Sequence, residues 1–193
     1  RSFRRNTRAI VSGSAALQPK LARMFLAADI TILEGYGLTE TSPVISVNCI
    51  KNGIRIGTVG TLIHDVKVKI AEDGEILVKG PNVMIGYYNL PEKTAEDIDS
   101  EGWFHTGDVG KFYKGYLKIT DRIKNILVNS FGKNIYPTPI ENTYLKSNKI
   151  EQIFLIGDKQ EYVTAIVVPS REELKEAFNM DDAYFTHPEE FIT

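Results

Sequence analysis

The side chains best suited to bind a ligand are concentrated in residues 34–41, which read Glu-Gly-Tyr-Gly-Leu-Thr-Glu-Thr. They follow the apolar stretch 30–33, Ile-Thr-Ile-Leu, which predicts a buried strand. The segment contains the glycines Gly35 and Gly37 and the side chains of Tyr36, Thr39 and Glu40. Glycines let the backbone approach a ligand, while a ring can stack on a base, a hydroxyl can donate to phosphate and a carboxylate can bind Mg²⁺. The segment predicts a nucleotide site, and alone it also fits a glycine-rich turn capped by polar residues.

Residues 102–108, Gly-Trp-Phe-His-Thr-Gly-Asp, form a second candidate site. The Asp108 carboxylate follows a Thr-Gly pair typical of a turn, and a carboxylate can accept hydrogen bonds from both hydroxyls of a ribose. The same residues equally fit a tight turn in which Asp108 bonds its own backbone. The chain has only two other histidines and a single cysteine, so we interpret His105 as structural rather than as a metal ligand.

Residues 121–125, Asp-Arg-Ile-Lys-Asn, lie where the sequence pattern changes. The guanidinium of Arg122 is a rigid fork of donors that can reach a ribose or phosphate oxygen. The alternative is a surface cluster of ion pairs, which contributes little to stability. The segment is also a candidate hinge, because a few residues at the end of an element can absorb a large change in backbone angles. By contrast, residues 129–137 predict only a hairpin turn and a helix start, and we assign no chemistry to them from composition.

Three stretches of different pattern must position these residues. Residues 1–54 predict a strand, a helix near Pro19 and a second strand, an α/β arrangement with ligand loops at strand ends. The apolar face of this helix is predicted to contain Leu17, Leu21, Met24, Phe25 and Ala28. Residues 55–120 predict short strands in a bent, β-barrel-like sheet. Residues 121–193 predict an incomplete α+β lobe with a helix from Ile140, so the fold class is mixed α/β and α+β.

Composition sets broad limits on the function. The chain has 193 residues, 42% of them apolar and 25% charged, as in globular proteins. The net charge of −2 gives no electrostatic argument for binding to nucleic acid or to an anionic membrane. Cys49 is the single cysteine, which favours a reducing compartment such as the cytoplasm, and no apolar run approaches the ~20 residues of a transmembrane helix. The sequence has no initiator Met and ends in an acidic, weakly patterned tail, so we expect a piece of a longer protein.

The order and spacing of six motifs resemble those of the adenylate-forming enzymes, a superfamily of acyl-CoA synthetases, peptide-synthetase adenylation domains and luciferases. The motifs lie at residues 12–16, 35–40, 80–88, 102–108, 121–124 and 132–137. The resemblance extends to about Pro169. Within it, residues 84–92, Met-Ile-Gly-Tyr-Tyr-Asn-Leu-Pro-Glu, are most similar to bacterial long-chain fatty-acid–CoA ligases.

The resemblance implies an ATP and Mg²⁺ site in the first two stretches. It implies that Tyr36 stacks on adenine, that Thr39 contacts the α-phosphate and that Glu40 binds Mg²⁺. Asp108 is implied to hold the ribose hydroxyls with the help of Arg122. The implied backbone around the nucleotide is formed by Gly13, Ser14, Ala15, Gly35 and Gly37.

The implied reaction has two steps. A fatty carboxylate attacks the α-phosphorus of ATP and expels pyrophosphate, and the thiol of coenzyme A then displaces AMP from the acyl adenylate. The resemblance makes Asp121 the hinge about which a small C-terminal lobe turns between the steps. It makes Gly132 and Lys133 part of the coenzyme A tunnel in the second step.

The sequence also departs from the family pattern. It contains no Ser/Thr/Gly-rich phosphate loop with its lysine, and neither Lys133 nor Lys175 has the Gly-Lys setting of the family's late catalytic lysine. Phe131 replaces a usual glycine and Asn125 a usual acidic residue. We therefore expect that this chain alone does not catalyse adenylation at a useful rate.

Two other functions compete with the ligase interpretation. The chain can belong to an adenylation domain that loads a carrier protein, or to a non-catalytic regulatory protein that keeps the nucleotide site. Fatty substrates would allow peripheral contact with a membrane, although no amphipathic basic helix supports it. The sequence predicts no oligomeric state.

Overall fold

A computed structural model describes residues 8–14 and 17–178. It divides into two compact units, residues 1–124 and 125–193. Ala15, a residue of the predicted nucleotide site, lies outside the described residues. The division into 1–54, 55–120 and 121–193 stays a prediction. No helix in the described part of the chain combines the length and apolar character needed to cross a bilayer.

The first sheet of the first unit confirms the predicted strand–helix–strand arrangement. Its strands, in spatial order, are β1 (Ile10–Ser12), β2 (Ile32–Gly37), β3 (Val44–Val47) and β4 (Thr61–Leu62). β1 and β2 run parallel and are joined by helix α1 (Pro19–Ala27), whereas β2, β3 and β4 are antiparallel. Pro19 takes the first position of α1, where the missing N–H would have no helical partner.

Strand β2 differs from the prediction in its bounds. It begins at Ile32 and continues through Gly37, so residues 35–37 are strand rather than loop. The reason is pairing with the unpredicted strand β3, where Gly35 lies opposite Val47. The register shifts after Tyr36, which accommodates the second glycine. Ile32 and Leu33 are only partly buried, so the prediction of a buried strand was wrong.

The predicted apolar face of α1 is not buried. Leu21, Met24 and Phe25 are 40%, 59% and 38% exposed, whereas Ala22 is buried. The neighbouring strand β1 has three residues, which offer too little surface to cover this face.

The second sheet is the predicted bent sheet, a curled half-barrel. Its antiparallel strands, in spatial order, are β5 (Lys67–Ile70), β6 (Glu75–Lys79), β7 (Phe104–Tyr113) and β8 (Tyr116–Arg122). Helix α2 (Pro91–Asp97) lies between β6 and β7 in sequence. Register shifts in the β6–β7 and β7–β8 ladders are bulges, which increase the twist and bend of a sheet.

One core joins the two sheets. Its buried members are Tyr36, Ile45, Val66, Ile76, Val78 and Leu117. The backbone of Leu117 also bonds the segment before β4, because Val59 N–H donates to Leu117 O at 2.9 Å and Leu117 N–H donates to Gly60 O at 2.8 Å. The end of β2 is therefore held at a fixed position relative to β7 and β8.

In its described part, residues 125–178, the second unit contains two hairpins and two helices. In chain order they are β9 (Leu127–Val128), β10 (Asn134–Ile135), α3 (Pro137–Tyr144), β11 (Ile150–Ile156), β12 (Thr164–Pro169) and α4 (Arg171–Phe178). Leu155 N–H donates to Glu141 Oε1 at 2.9 Å and ties β11 to α3. α3 starts at Pro137, before the predicted Ile140, because proline is well suited to the first helical position.

Candidate active site

Three residues assigned to the nucleotide come together in the first unit. Tyr36 Oη donates to Asp108 Oδ2 at 2.7 Å, and Arg122 Nε lies 3.2 Å from Asp108 Oδ1. Asp108 and Arg122 are opposite each other in the β7–β8 ladder. Tyr36 is contributed by the end of β2, so the cluster joins the two sheets.

Burial governs the electrostatics of this cluster. Asp108 is 5% exposed and Tyr36 9% exposed. Burial, followed by the negative charge of Asp108, raises the pKa of the Tyr36 phenol above its ordinary value, so the phenol stays a hydrogen-bond donor at neutral pH. The side chain of Arg122 is 67% exposed and brings a positive charge from the solvent side. An ionised carboxylate offers about four acceptor sites, so Asp108 retains capacity for two ribose hydroxyls beside its present partners.

A neighbouring group positions Asp108 in its strand. Asp108 lies within β7 rather than after a free turn, and Gly107 before it has φ +69°, a conformation that favours glycine. Gly107 N–H donates to Glu75 Oε1 at 2.8 Å. Thr106 Oγ donates to Ile76 O at 2.7 Å and accepts from Asp108 N–H at 3.1 Å. These bonds hold the irregular stretch of β7 that presents the carboxylate.

The structure places His105 beside the same acidic residue. His105 Nδ1 lies 2.7 Å from Glu75 Oε2, and Glu75 is buried. Nε2 of the ring lies 4.0 Å from Asp99 Oδ2. Sequence reasoning missed Glu75, because its partners are about thirty positions away and no local motif marks the contact.

Thr39 and Glu40 lie in a 3₁₀ turn, Thr39–Thr41, directly after β2. Thr39 is exposed and Glu40 is partly buried. The turn is held at its end, where Leu38 N–H donates to Thr41 Oγ at 3.0 Å. Gly37, just before the turn, has no room for a side chain, because a Cβ there would lie 1.6 Å from Pro43 O.

The side chain of Glu40 has one hydrogen-bond partner among the described residues. Tyr87 Oη lies 3.1 Å from Glu40 Oε1 and 3.0 Å from Asp97 Oδ2. Burial, then these two contacts, raises the pKa of the Tyr87 phenol above its ordinary value. Burial raises the pKa of Asp97, but hydrogen bonds from Lys93 and Tyr87 outweigh it and leave that pKa below its ordinary value.

Glu40 can bind Mg²⁺ only as a single carboxylate ligand that acts together with phosphates and waters. Among the described residues, no group of three or more His, Cys, Asp or Glu side chains is arranged to hold a metal ion. Mg²⁺ at a nucleotide site is commonly held by one or two carboxylates together with phosphates and waters. Glu40 Oε2 makes no hydrogen bond within the described part of the chain and can serve as that single ligand.

The loop that follows β1 and begins with Gly13 and Ser14 lies beside the last part of β2. β1 and β2 are parallel, with Ser12 opposite Glu34, so the residues after β1 lie beside the last part of β2. Gly13 lies close to Gly35, since a Cβ on Gly13 would be 3.9 Å from Gly35 O. Ser14 has φ +69°, which turns the chain away from β1.

The remaining candidates lie at other places in the fold. Asp121 is buried within β8, and its Oδ1 accepts from Arg122 N–H at 2.8 Å. In the second unit, Asn129 Oδ1 accepts from Lys133 N–H at 2.8 Å and closes the turn that contains Gly132. Phe131 in the same turn is 77% exposed.

The chain matches two family profiles. Residues 1–88 match the AMP-binding enzyme family, and residues 124–187 match the AMP-binding enzyme C-terminal domain. These matches cover the β2 end with Thr39 and Glu40, and the turn with Gly132 and Lys133.

Named relatives are also similar over most of the chain. A long-chain-fatty-acid–CoA ligase of Mycobacterium bovis is 39% identical over 163 residues, which cover 84% of this chain and 27% of that protein. A chloroplastic long-chain-fatty-acid–[acyl-carrier-protein] ligase of Arabidopsis thaliana is 33% identical over 189 residues, which cover 86% of this chain and 26% of the relative. The chain therefore spans about a quarter of the length of these relatives.

A solved structure is similar in fold. It is the o-succinylbenzoate CoA synthetase of Bacillus subtilis in complex with its acyl-adenylate intermediate, with a TM-score of 0.76 and 26% identity. The match covers 91% of this chain and 40% of that one. From the two profiles, the relatives and this fold, we conclude that the chain belongs to the AMP-binding enzyme family.

Proposed function

We propose that this chain is part of an ATP-dependent long-chain fatty-acid–CoA ligase. The proposed reaction joins a fatty carboxylate to AMP with release of pyrophosphate, and then transfers the acyl group to the thiol of coenzyme A with release of AMP. The single observation that carries the proposal is the Tyr36–Asp108–Arg122 cluster at the end of β2. The choice of acid is supported by the similarity of the chain to the Mycobacterium ligase and by the resemblance of its residues 84–92 to long-chain ligases.

In this proposal the cluster binds the nucleoside of ATP. Asp108 accepts the two ribose hydroxyls, and Arg122 compensates its charge and adds a donor toward the ribose. Tyr36 keeps most of its ring in the core, so adenine contacts the part of the ring that remains exposed. The Gly13–Ser14 loop lies next to the backbone of Gly35, the residue before Tyr36, and in this proposal it covers the opposite face of adenine.

In this proposal the 3₁₀ turn contacts the phosphates of ATP. Thr39 is exposed and free to donate its hydroxyl to an α-phosphate oxygen. Glu40 would hold Mg²⁺ through Oε2, and the ion would neutralise charge that develops on the phosphoryl oxygens. The residues of this chain contribute positioning and charge rather than a covalent nucleophile.

The second step involves the second unit. We propose Asp121 as the hinge and the turn with Gly132 and Lys133 as part of the coenzyme A tunnel, roles supported by the family match of residues 124–187. The sequence contains neither the phosphate-loop lysine nor the late lysine of the family, so the chain alone is proposed not to form adenylate. A cytoplasmic location with peripheral membrane contact stays a prediction.

A second candidate is transfer to a carrier protein instead of coenzyme A. The observation in its favour is the Arabidopsis relative, which is named for an acyl-carrier-protein reaction. Its identity of 33% is lower than the 39% of the coenzyme A ligase, so we rank it second.

The test uses the full-length protein that contains this chain. Thioester formation from ATP and coenzyme A is measured with palmitate, acetate and benzoate side by side. Palmitoyl-CoA is expected to form preferentially, and Glu40→Ala is expected to lower kcat/KM by about 100-fold or more, because a bound metal ion contributes several kcal/mol of charge stabilisation. Glu92→Ala, an exposed glutamate at the start of α2, is the matched control. Adenylate without thioester would favour the carrier-protein function, and no turnover would favour a non-catalytic nucleotide-binding protein.

A further inference from the structure

The hydroxyl of Tyr87 lies between two carboxylates from different elements. Glu40 belongs to the 3₁₀ turn after β2, and Asp97 is the last residue of α2. Their nearest oxygens are 3.1 Å and 3.0 Å from Tyr87 Oη. A phenol carries a single O–H hydrogen, so it can donate to only one carboxylate at a time.

Charge decides which carboxylate depends more on the hydroxyl. Lys93, one turn earlier in α2, places Nζ 2.8 Å from Asp97 Oδ1 and compensates the charge of that carboxylate. Glu40 has no Lys, Arg or His within 4.0 Å among residues 8–14 and 17–178. Asp97 therefore has a second donor in Lys93, whereas the Tyr87 hydroxyl is the one donor to the Glu40 side chain among the described residues.

The backbone holds the two residues in this arrangement. Met84 N–H donates to Glu40 O at 2.8 Å, and Asn82 Nδ2 donates to Thr41 O at 3.0 Å. Tyr87 N–H donates to Thr94 Oγ at 2.9 Å. The segment from Asn82 to Tyr87 is thus fastened both to the 3₁₀ turn and to α2, so the phenol reaches Glu40 from a fixed position.

We propose that Tyr87 is a positioning residue for Glu40. Its hydroxyl holds Oε1 and leaves Oε2 for a divalent cation, as outer groups orient a carboxylate ligand in other metal sites. The inference rests on the proposed function, in which Glu40 carries the Mg²⁺ of ATP. Tyr87 lies in residues 84–92, a stretch identified only by its resemblance to long-chain ligases. The proposed reaction gives this stretch no role of its own.

Tyr87→Phe and Tyr88→Phe in the full-length protein form a matched pair. Tyr88 is the adjacent tyrosine, is 91% exposed and makes no hydrogen bond through its side chain within the described residues. The first readout is Mn²⁺ binding to the complex with α,β-methylene-ATP, measured by electron paramagnetic resonance. This analogue cannot transfer AMP to a carboxylate, because a methylene group replaces the bridging oxygen between its α- and β-phosphates. Tyr87→Phe is expected to weaken Mn²⁺ binding by about 10-fold or more, within the usual range for loss of an outer-shell partner, and Tyr88→Phe by less than about twofold.

The second readout is the Mg²⁺ concentration that gives half-maximal thioester formation, which is expected to rise in parallel for Tyr87→Phe. Asp97→Asn distinguishes the positioning of Glu40 from a general effect on folding. It removes the negative charge that competes with Glu40 for the Tyr87 hydroxyl and leaves the phenol in place. Its Mn²⁺ affinity is expected to equal or exceed that of the wild type. Thermal unfolding midpoints of all variants report any loss of structure.

The outcomes separate this inference from the proposed function. Equal Mn²⁺ affinity in Tyr87→Phe and Tyr88→Phe, in a wild type that makes palmitoyl-CoA, would overturn the inference alone. An equal loss of Mn²⁺ affinity in Tyr87→Phe and Asp97→Asn would also overturn the inference, because it would show that Tyr87 has only a structural role. A wild type that makes no thioester, or whose Mn²⁺ affinity does not change in Glu40→Ala, would remove the proposed function and the inference together.

Discussion

The phenol of Tyr36 donates a hydrogen bond of 2.7 Å to the carboxylate of Asp108, and both groups are buried. This bond joins the end of the first sheet to the middle of the second. A buried carboxylate needs such donors, because leaving a charged acceptor unsatisfied costs more than a neutral one. The bond therefore serves the fold and also sets the position of the group proposed to hold the ribose.

Removal of the Tyr36 hydroxyl is expected to destabilise the chain while the ring stays in the core. Tyr36→Phe leaves Asp108 Oδ2 without its donor, so the free energy of unfolding is expected to fall by about 1–3 kcal/mol. Urea unfolding of the 193-residue chain measures this difference. Tyr88→Phe is the control, and its exposed phenol predicts a change of less than about 0.5 kcal/mol. Equal stability of the two variants would contradict the buried bond.

The Asp108 carboxylate is expected to distinguish a ribose from a sugar without hydroxyls. The full-length protein is predicted to bind AMP about 10- to 100-fold more tightly than 2′,3′-dideoxy-AMP, since hydrogen bonds to a charged group contribute roughly 1.5–3 kcal/mol. Asp108→Asn should lower AMP affinity and remove most of this preference. Calorimetric titration checks it, with the exposed Asp65→Asn as control. A variant that keeps the full preference would place the ribose elsewhere.

Local patterns in the sequence predicted the elements that depend on neighbours in the chain. Helix α1 and its Pro19 start follow from helical spacing, and the β5–β6 and β7–β8 hairpins follow from alternation around short turns. Strand β3 was missed because its assignment depends on pairing with residues 35–37, whose glycines indicate a turn when read locally. The same reason applies to the exposed face of α1, where the packing partner and not the spacing decides burial.

The residues of the candidate site also divide into those that local patterns predicted and those that depend on tertiary contacts. Tyr36, Asp108 and Arg122 carry side chains whose chemistry is visible in their own motifs, and the structure brings them together. Glu75 and Tyr87 act on residues 32 and 47 positions away, so no local pattern reports their contacts. The groups proposed to bind a ligand could thus be predicted from residue type, whereas the groups that contact and position them could be found only from the tertiary structure.

Gly37 is expected to tolerate no side chain. A Cβ at Gly37 would lie 1.6 Å from Pro43 O, and backbone atoms would have to move. Gly37→Ala is predicted to lower the free energy of unfolding by about 3 kcal/mol or more. Gly13→Ala is the matched control, because its nearest contact of 3.9 Å is ordinary and predicts less than about 1 kcal/mol. Urea unfolding compares the two variants, and similar losses would show that β2 and β3 separate easily.

The buried phenol also predicts how stability changes with pH. The pKa of Tyr36 is raised in the folded chain, first by burial and then by Asp108, above the value of about 10 in an unfolded chain. The folded state keeps a proton that the unfolded state loses, so this stabilisation is complete below about pH 10 and declines above it, by up to about 1.4 kcal/mol per pH unit. Urea unfolding between about pH 8.5 and 11, a range that brackets the ordinary tyrosine pKa of about 10, measures this effect. The free energy of unfolding is expected to fall less steeply with pH in Tyr36→Phe than in the wild type, by a slope that approaches the release of one proton. Lysine titration affects both proteins alike, so identical slopes would mean that the Tyr36 phenol ionises in the folded chain as readily as in water.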